Sequence, residues 1–249
     1  MKDVLLTLTA TELVAENICK IKLSGEMEAV QAGQFVHIAV PNFTLRRPFC
    51  ITEASADSIT VIFAIVGAGT DALAKLALGT KLACILPIGN GFELSNTDKK
   101  VLVVGGGLGV APLLPIFNNY PDREYKVLLG FASAKGMIEV EDFKAHTPDV
   151  TVATDDGSAG YSGRVTELVP AAIEEFQPDC IICCGPTPML RALQNIDRKV
   201  KTWVSTEARM GCGVGACLVC TCPVKKGEVV RNLRVCVDGP VFDLDELVL

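Results

Sequence analysis

Four cysteines near the end of the chain, Cys212, Cys217, Cys220 and Cys236, are separated by four, two and fifteen residues. This is the C-x4-C-x2-C…C ligand spacing of a plant-type [2Fe-2S] cluster. Such a site demands that a short loop bring three thiolates around a small inorganic core while its backbone N–H groups turn toward sulfur. Only small residues let the backbone approach so closely. Gly213, Gly215 and Ala216 supply that room, and Cys236 arrives from a separate segment, Leu233 to Val237, across an expected hairpin. Zinc is the alternative for four thiolates, although all-cysteine zinc sites usually pair two C-x2-C knuckles; a disulfide framework ranks lower still. No histidine lies near the loop, which disfavours a Rieske centre. Cys222, two residues past Cys220, is read as a non-ligand thiol.

A cluster of this kind carries one electron at a time, so the remaining residues must supply its redox partners. With 249 residues the chain exceeds the usual single domain, and two domains plus a small cluster lobe are expected. A net charge of −6 without any clustered Lys and Arg argues against nucleic acid. The first residues lack the charged and apolar regions of a secretory signal, and no run of about twenty apolar residues is present, so a cytoplasmic protein is expected. In a reducing compartment the eleven cysteines read as metal ligands and small buried hydrophobes. Cys180, Cys183 and Cys184 fall in an apolar strand, where the core reading covers at least two of them.

The fold class expected is β plus α/β. Over residues 1–96, short β-rich runs (Leu5 to Ala10, Ile18 to Leu23, Phe35 to Val40, Phe49 to Ala54, Ile59 to Val66, Lys81 to Ile85) alternate with turn residues and predict an antiparallel β-barrel. One helix, Asp71 to Leu78, interrupts them. After the polar linker Asn96 to Lys100 the pattern changes. Over residues 97–205, apolar strands at Val101 to Val104, Tyr125 to Gly130, Val150 to Thr154, Cys180 to Cys184 and Lys201 to Val204 alternate with longer segments. Crossovers at Pro112 to Asn119 and Val165 to Phe176 predict a parallel sheet covered on both faces. Residues 206–249 form the expected cluster lobe.

Several turns in this frame suit an anionic cofactor. Val101 to Val104 runs into Gly105-Gly106-Gly107-Leu108-Gly109-Val110-Ala111-Pro112 and an expected helix, an arrangement that favours a pyrophosphate. It is not a clean dinucleotide fingerprint, because Val110 stands at the third glycine position and no acidic residue ends the second strand. Cys184-Gly185-Pro186-Thr187-Pro188-Met189 repeats the strand–turn–helix pattern at the same sheet edge. In the barrel half, Arg46-Arg47-Pro48-Phe49-Cys50-Ile51 offers a guanidinium fork beside a strand. Ile65-Val66-Gly67-Ala68-Gly69-Thr70 offers backbone donors to the same anion. Taken singly, the glycine run is a weak signal, and each barrel segment reads better as a solvated arginine pair or an ordinary strand turn.

In this order the motifs resemble the ferredoxin reductase family of flavoproteins. With the cysteine lobe and Cys236-Val237-Asp238-Gly239-Pro240-Val241-Phe242 added, the whole chain is similar to the electron-transfer subunits of two-subunit dihydroorotate dehydrogenases. The resemblance implies FAD in the barrel, NAD at the glycine edge, and a [2Fe-2S] cluster on Cys212, Cys217, Cys220 and Cys236 facing an FMN-containing catalytic partner in a heterotetramer. It implies FAD contacts from Arg47, Pro48, Phe49, Cys50, Ile65, Gly67, Gly69 and Thr70. Gly107, Gly109, Cys184, Gly185 and Met189 would lie along NAD. Cys50 departs from the family, which usually has Ser or Thr there, and a thiol is the weaker donor. FAD would convert between single electrons and hydride, with no catalytic acid or base required of this chain.

The loop Asp155-Asp156-Gly157-Ser158 resembles the family's acidic-glycine loop, with a plain turn as the alternative. Glu207 is read as a solvated carboxylate, and His37 and His146 as structural or solvent-facing. Lys135 without an arginine beside it leans toward NAD over NADP. A reductase subunit serving a hydrogenase or sulfite reductase uses the same modules, and a zinc-stabilised binding module is the alternative outside redox chemistry.

Overall fold

The computed structural model describes all 249 residues. Strands β1 (Lys2–Ala15), β2 (Ile18–Ser24), β3 (Phe35–Ile38), β4 (Arg47–Ala54) and β5 (Ser58–Ala64) precede helix α1 (Ala68–Ala74) and strand β6 (Lys81–Ile88). They close into an antiparallel barrel in the order β1-β2-β5-β4-β3-β6. Alternation explains it. In β2 the side chains of Cys19, Ile21 and Leu23 point in while those of Lys20 and Lys22 point out, so one face of every strand feeds a common core. Helix α1 covers Ala68–Ala74 rather than Asp71 to Leu78, because the Thr70 hydroxyl takes the amides of Val66 and Gly67 at 3.0 and 3.2 Å and starts the helix early.

The second sheet is built from β7 (Lys100–Gly106), β8 (Glu124–Phe131), β9 (Val150–Thr154), β10 (Tyr161–Ser162), β11 (Cys180–Cys184) and β12 (Lys201–Ser205). Helices α2 (Ile116–Asn119), α3 (Val140–His146), α4 (Val165–Phe176) and α5 (Thr187–Gln194) supply the crossovers. Strands β7 and β11 are buried along nearly their whole length, as apolar runs covered on both faces must be. The helix expected after the glycine run is instead a 3-10 segment, Gly107–Leu113, followed by the four-residue α2. Pro112 and Pro115 explain the difference, since each removes an amide that a continuous α-helix would need.

The cysteine lobe contributes the hairpin β13 (Thr221–Lys226) and β14 (Val229–Arg234), paired from Thr221 opposite Arg234 to Lys226 opposite Val229. The chain then returns to the second sheet. Strand β15 (Val241–Asp243) pairs antiparallel with β12, giving the order β10-β9-β8-β7-β11-β12-β15. The last residues thus share a sheet with the α/β domain, a closure with no signal in local patterning. No helix is long and apolar enough to cross a membrane.

A partly buried ion pair ties barrel to sheet domain. Lys20 Nζ on β2 lies 3.1 Å from the carboxylate of Glu139, whose side chain is 4% exposed. Burial pushes the Glu139 carboxyl up, against the pull of Lys20. Lys20→Ala strands that carboxylate and is expected to cost about 3 kcal/mol in chemical denaturation. The double variant with Glu139→Ala should recover most of the loss.

Candidate functional site

The cysteine loop is built by backbone conformation. Gly213 and Gly215 adopt φ of +70° and +82°, and a Cβ at Gly215 would sit 2.6 Å from Val237. This winding turns amides toward sulfur: the N–H groups of Val214 and Cys217 donate to Cys212 Sγ, each at 3.4 Å. Those donors, Val214 first, bring the Cys212 thiol down to about 6, so it is largely thiolate at neutral pH. Cys236 is the opposite case. Burial, then its neighbour Cys220, pushes its thiol up to about 12.

The four thiols form two adjacent pairs, Cys212 with Cys217 and Cys220 with Cys236. No three of them converge where one ion would sit. Two separate pairs suit a binuclear cluster, one pair to each iron, better than a single tetrahedral zinc. The inward amides and small residues fit that group as well. Cys222 is half-buried, and its thiol is pushed up to about 11 by burial.

Two residues that sequence reasoning missed hold Cys236 in place. Arg234 and Asp238 bracket it and are joined by an Nε–carboxylate contact of 3.1 Å, while Asp238 also accepts the Arg234 amide at 2.8 Å. Arg234 then donates to the Gly215 carbonyl at 3.3 Å, pinning the separate segment onto the loop. An Arg and an Asp four apart around a cysteine were the available signal.

A cavity of about 360 Å³ lies between barrel and sheet, walled by Arg47, Pro48, Phe49 and Cys50 on one side and by Thr70, Leu108 and Glu207 on others. Arg47 and the Gly-Ala-Gly-Thr turn do come together: a Cβ at Gly69 would lie 2.7 Å from the Arg47 guanidinium. Arg47 stacks 5.4 Å from the Phe43 ring and donates to the Leu45 carbonyl, with no carboxylate partner. It is thus free for an anion. Gly67 faces open space, whereas Ile65 packs against the barrel core. Cys50 is pushed up to about 12 by burial and then by Glu207, so it stays a neutral thiol. Glu207 is exposed, as the sequence reading has it, and it also lines this cavity, where partial desolvation raises its carboxyl.

A second cleft, about 370 Å³, lies over the edge of the parallel sheet and is lined by Gly106, Gly107, Asp155, Arg164, Pro186 and Met189 among others. Gly107 has φ +55° and open space where a Cβ would be, so it offers bare backbone. Gly109 does something else. A Cβ there would lie 2.5 Å from the Cys184 carbonyl oxygen, so its role is to let the two glycine turns touch. Cys184 is buried beneath them, and Met189 would meet Cβ atoms at Gly106 and Gly185 within 2.5 and 2.7 Å. A polar cavity of about 380 Å³ behind the β4–β5 turn, lined by Lys22, Thr52 and His146, holds none of the expected residues.

Residues 207–248 match the model of the iron-sulfur cluster binding domain of dihydroorotate dehydrogenase B. The electron transfer subunit of dihydroorotate dehydrogenase B (NAD(+)) from Streptococcus mutans is 40% identical, with 98% of this chain and 97% of that protein covered. The chain belongs to that family of electron transfer subunits. The Geobacillus kaustophilus subunit is likewise 40% identical, with 98% of both chains covered. Among solved structures, an NADH-dependent reduced ferredoxin-NADP oxidoreductase superposes with a TM-score of 0.86 at 28% identity, covering 98% of this chain and 90% of that one. Phthalate dioxygenase reductase, at 16% identity and a TM-score of 0.66 over 93% and 76%, shares the fold. The family's reductase architecture is therefore the one found here.

The lowered Cys212 thiol makes a direct expectation. In cluster-free protein, Cys212 should be the loop cysteine alkylated fastest by iodoacetamide at pH 7, with its rate falling as pH drops through about 6. Peptide mass mapping reads this, and cluster loading should abolish it.

Proposed function

We propose that this chain is the electron-transfer subunit of an NAD-linked dihydroorotate dehydrogenase in pyrimidine biosynthesis. It would pair in the cytoplasm with an FMN-containing subunit that oxidises dihydroorotate, as a heterotetramer of two copies of each. One observation carries the reading: of the two thiol pairs, Cys220 and Cys236 belong to the same buried core as Phe35 on the wall of the barrel–sheet cavity, while loop amides turn onto Cys212 of the other pair. Full-length similarity to the Streptococcus mutans subunit supports the same assignment.

A [2Fe-2S] cluster and FAD, when bound, supply the conversion between single electrons and a hydride for NAD+. The chain's residues bind and orient. Arg47 offers its unpaired guanidinium to the FAD pyrophosphate, with Gly67, Gly69 and Thr70 forming the adjoining turn. Phe49 and Cys50 line the cavity where a flavin ring would lie, and the neutral Cys50 thiol provides a weak donor in place of the usual hydroxyl. Gly107 and Met189 border the cleft for NAD, with Gly109, Cys184 and Gly185 packed beneath to hold its floor. Exposed Val214, Leu218, Val219 and Val237 surround the loop with apolar surface suited to docking the partner. The second reading, a reductase subunit serving another electron donor, draws on the likeness to the ferredoxin-NADP oxidoreductase.

Purified protein is expected to be yellow-brown, with flavin absorption and a rhombic EPR signal on reduction. Mixed with its partner, it should reduce NAD+ in the presence of dihydroorotate. Reduction only with hydrogen, sulfide or ferredoxin as donor would move the assignment to the second reading, and a colourless protein with stoichiometric zinc would end both. Cys236→Ser should lose the EPR signal and electron flow but keep FAD. Arg47→Ala should weaken FAD retention roughly ten- to hundredfold in equilibrium titration, the scale of a lost charge-assisted contact.

A further inference from the structure

Strand β3 presents two faces with different duties. Val36 and Ile38 enter the barrel core, while Phe35 and His37 point outward. Phe35 reaches the wall of the barrel–sheet cavity and also the core that holds Cys220 and Cys236. His37 lies one step along the same face and is completely buried. Its Nδ1 would be 2.6 Å from a Cβ built on Gly213, so the ring rests directly against the residue that follows Cys212. Both ring nitrogens lack a hydrogen-bond partner within the protein.

A buried imidazole with neither nitrogen satisfied is costly, and buried polar groups are seldom left so. The backbone carbonyls of Arg46 and Cys212 lie beside the ring, outside hydrogen-bond geometry. Arg46 donates to the His37 carbonyl rather than to its ring, at 3.5 Å, and directs its main contacts to Ala83 and Asp3. The Nδ1 edge of the ring faces the Cys212–Gly213 turn. A neutral imidazole has one N–H to give and one lone pair to receive. The partner that fits the N–H is the electron-rich sulfur of a cluster seated in that turn.

Resting on the cluster assignment above, we propose that His37 is a positioning residue for the [2Fe-2S] centre, supplying from the barrel a hydrogen bond to the sulfur environment of the Cys212–Gly213 turn. The cluster's surroundings are then set by two parts of the chain, amides from its own loop and one imidazole from the flavin-side barrel. Hydrogen bonds to cluster sulfurs stabilise the reduced, more negative state and so raise its potential. His37 therefore tunes the potential of the cluster relative to the flavin, and it belongs to the same strand as Phe35 on the cavity wall.

The test is a redox titration of the holoprotein monitored by EPR, with the flavin followed optically in the same sample. His37→Phe, which keeps a ring but no donor, should shift the cluster to more negative potential. The reduced-to-oxidised ratio at fixed potential should fall roughly tenfold, equivalent to about 59 mV for one electron. Flavin potential should stay unchanged, and His37→Gln, which restores an N–H, should recover part of the shift. A His37→Phe cluster of full intensity at the wild-type potential would overturn the proposal and leave the cluster assignment intact.

A second measurement needs no variant. The chain has two histidines, and the other, His146, stacks on Phe117 in the sheet domain. Wild-type protein labelled with 15N-histidine should show a weak 15N coupling to the reduced cluster in pulsed EPR. Its absence would overturn the proposal even if the variants fail to fold. Wild-type protein with no cluster signal would instead overturn the cluster reading, and this inference with it.

Discussion

One buried core joins the three parts of this molecule, and the redox arrangement depends on it. Phe35 and Ile88 from the barrel, Leu102, Val104 and Ile181 from the parallel sheet, and Cys220, Val235, Cys236 and Phe242 from the last segment belong to a single cluster of 22 buried residues. Apolar burial of this kind is non-directional, but close packing makes it rigid. The cysteine lobe is therefore fixed against both the cavity wall and the sheet, which electron transfer between fixed centres requires. Strand β15 reinforces the seating through backbone hydrogen bonds to β12.

Within that frame, close backbone approach does most of the shaping. Gly109 lets one glycine turn press onto the Cys184 carbonyl, and Gly69 lets the Arg47 guanidinium lie across the other. Gly213 lets the cysteine loop settle against His37. Electrostatics then divides the thiols. Amides aimed at Cys212 favour its thiolate, while burial keeps Cys50 and Cys183 protonated, each pushed up to about 12. Cysteines of one chemical type thus differ in charge at neutral pH according to what surrounds them.

Local pattern made much of the fold legible. Alternating residues in β2 and continuous apolar runs in β7 and β11 placed their strands to within a residue or two. The glycine run before Pro112 misled, because a strand–glycine–apolar pattern reads as a helix start whether or not the prolines allow the helix to continue. Pairing of β15 with β12 was out of reach, since three residues carry no period and sheet edges are chosen by tertiary packing. The same limit applies to the Arg234–Asp238 clamp. A carboxylate or an ion pair has no sequence mark that says whether it faces solvent or a cavity.

The sequence by itself determined the chemistry on offer: four thiolates at [2Fe-2S] spacing, small residues between them, an arginine and glycine turns for anions, and the order of modules. These are covalent and local properties, set by residue identity and separation along the chain. Tertiary structure alone decided which of them meet. Closure of the barrel brought Arg47 onto Gly69, and return of β15 locked the cysteine segment to the sheet. Packing on the outer face of β3 set His37 against the loop that begins at Cys212. Those contacts join residues far apart in the chain, and burial and chain crossing, rather than spacing, select them.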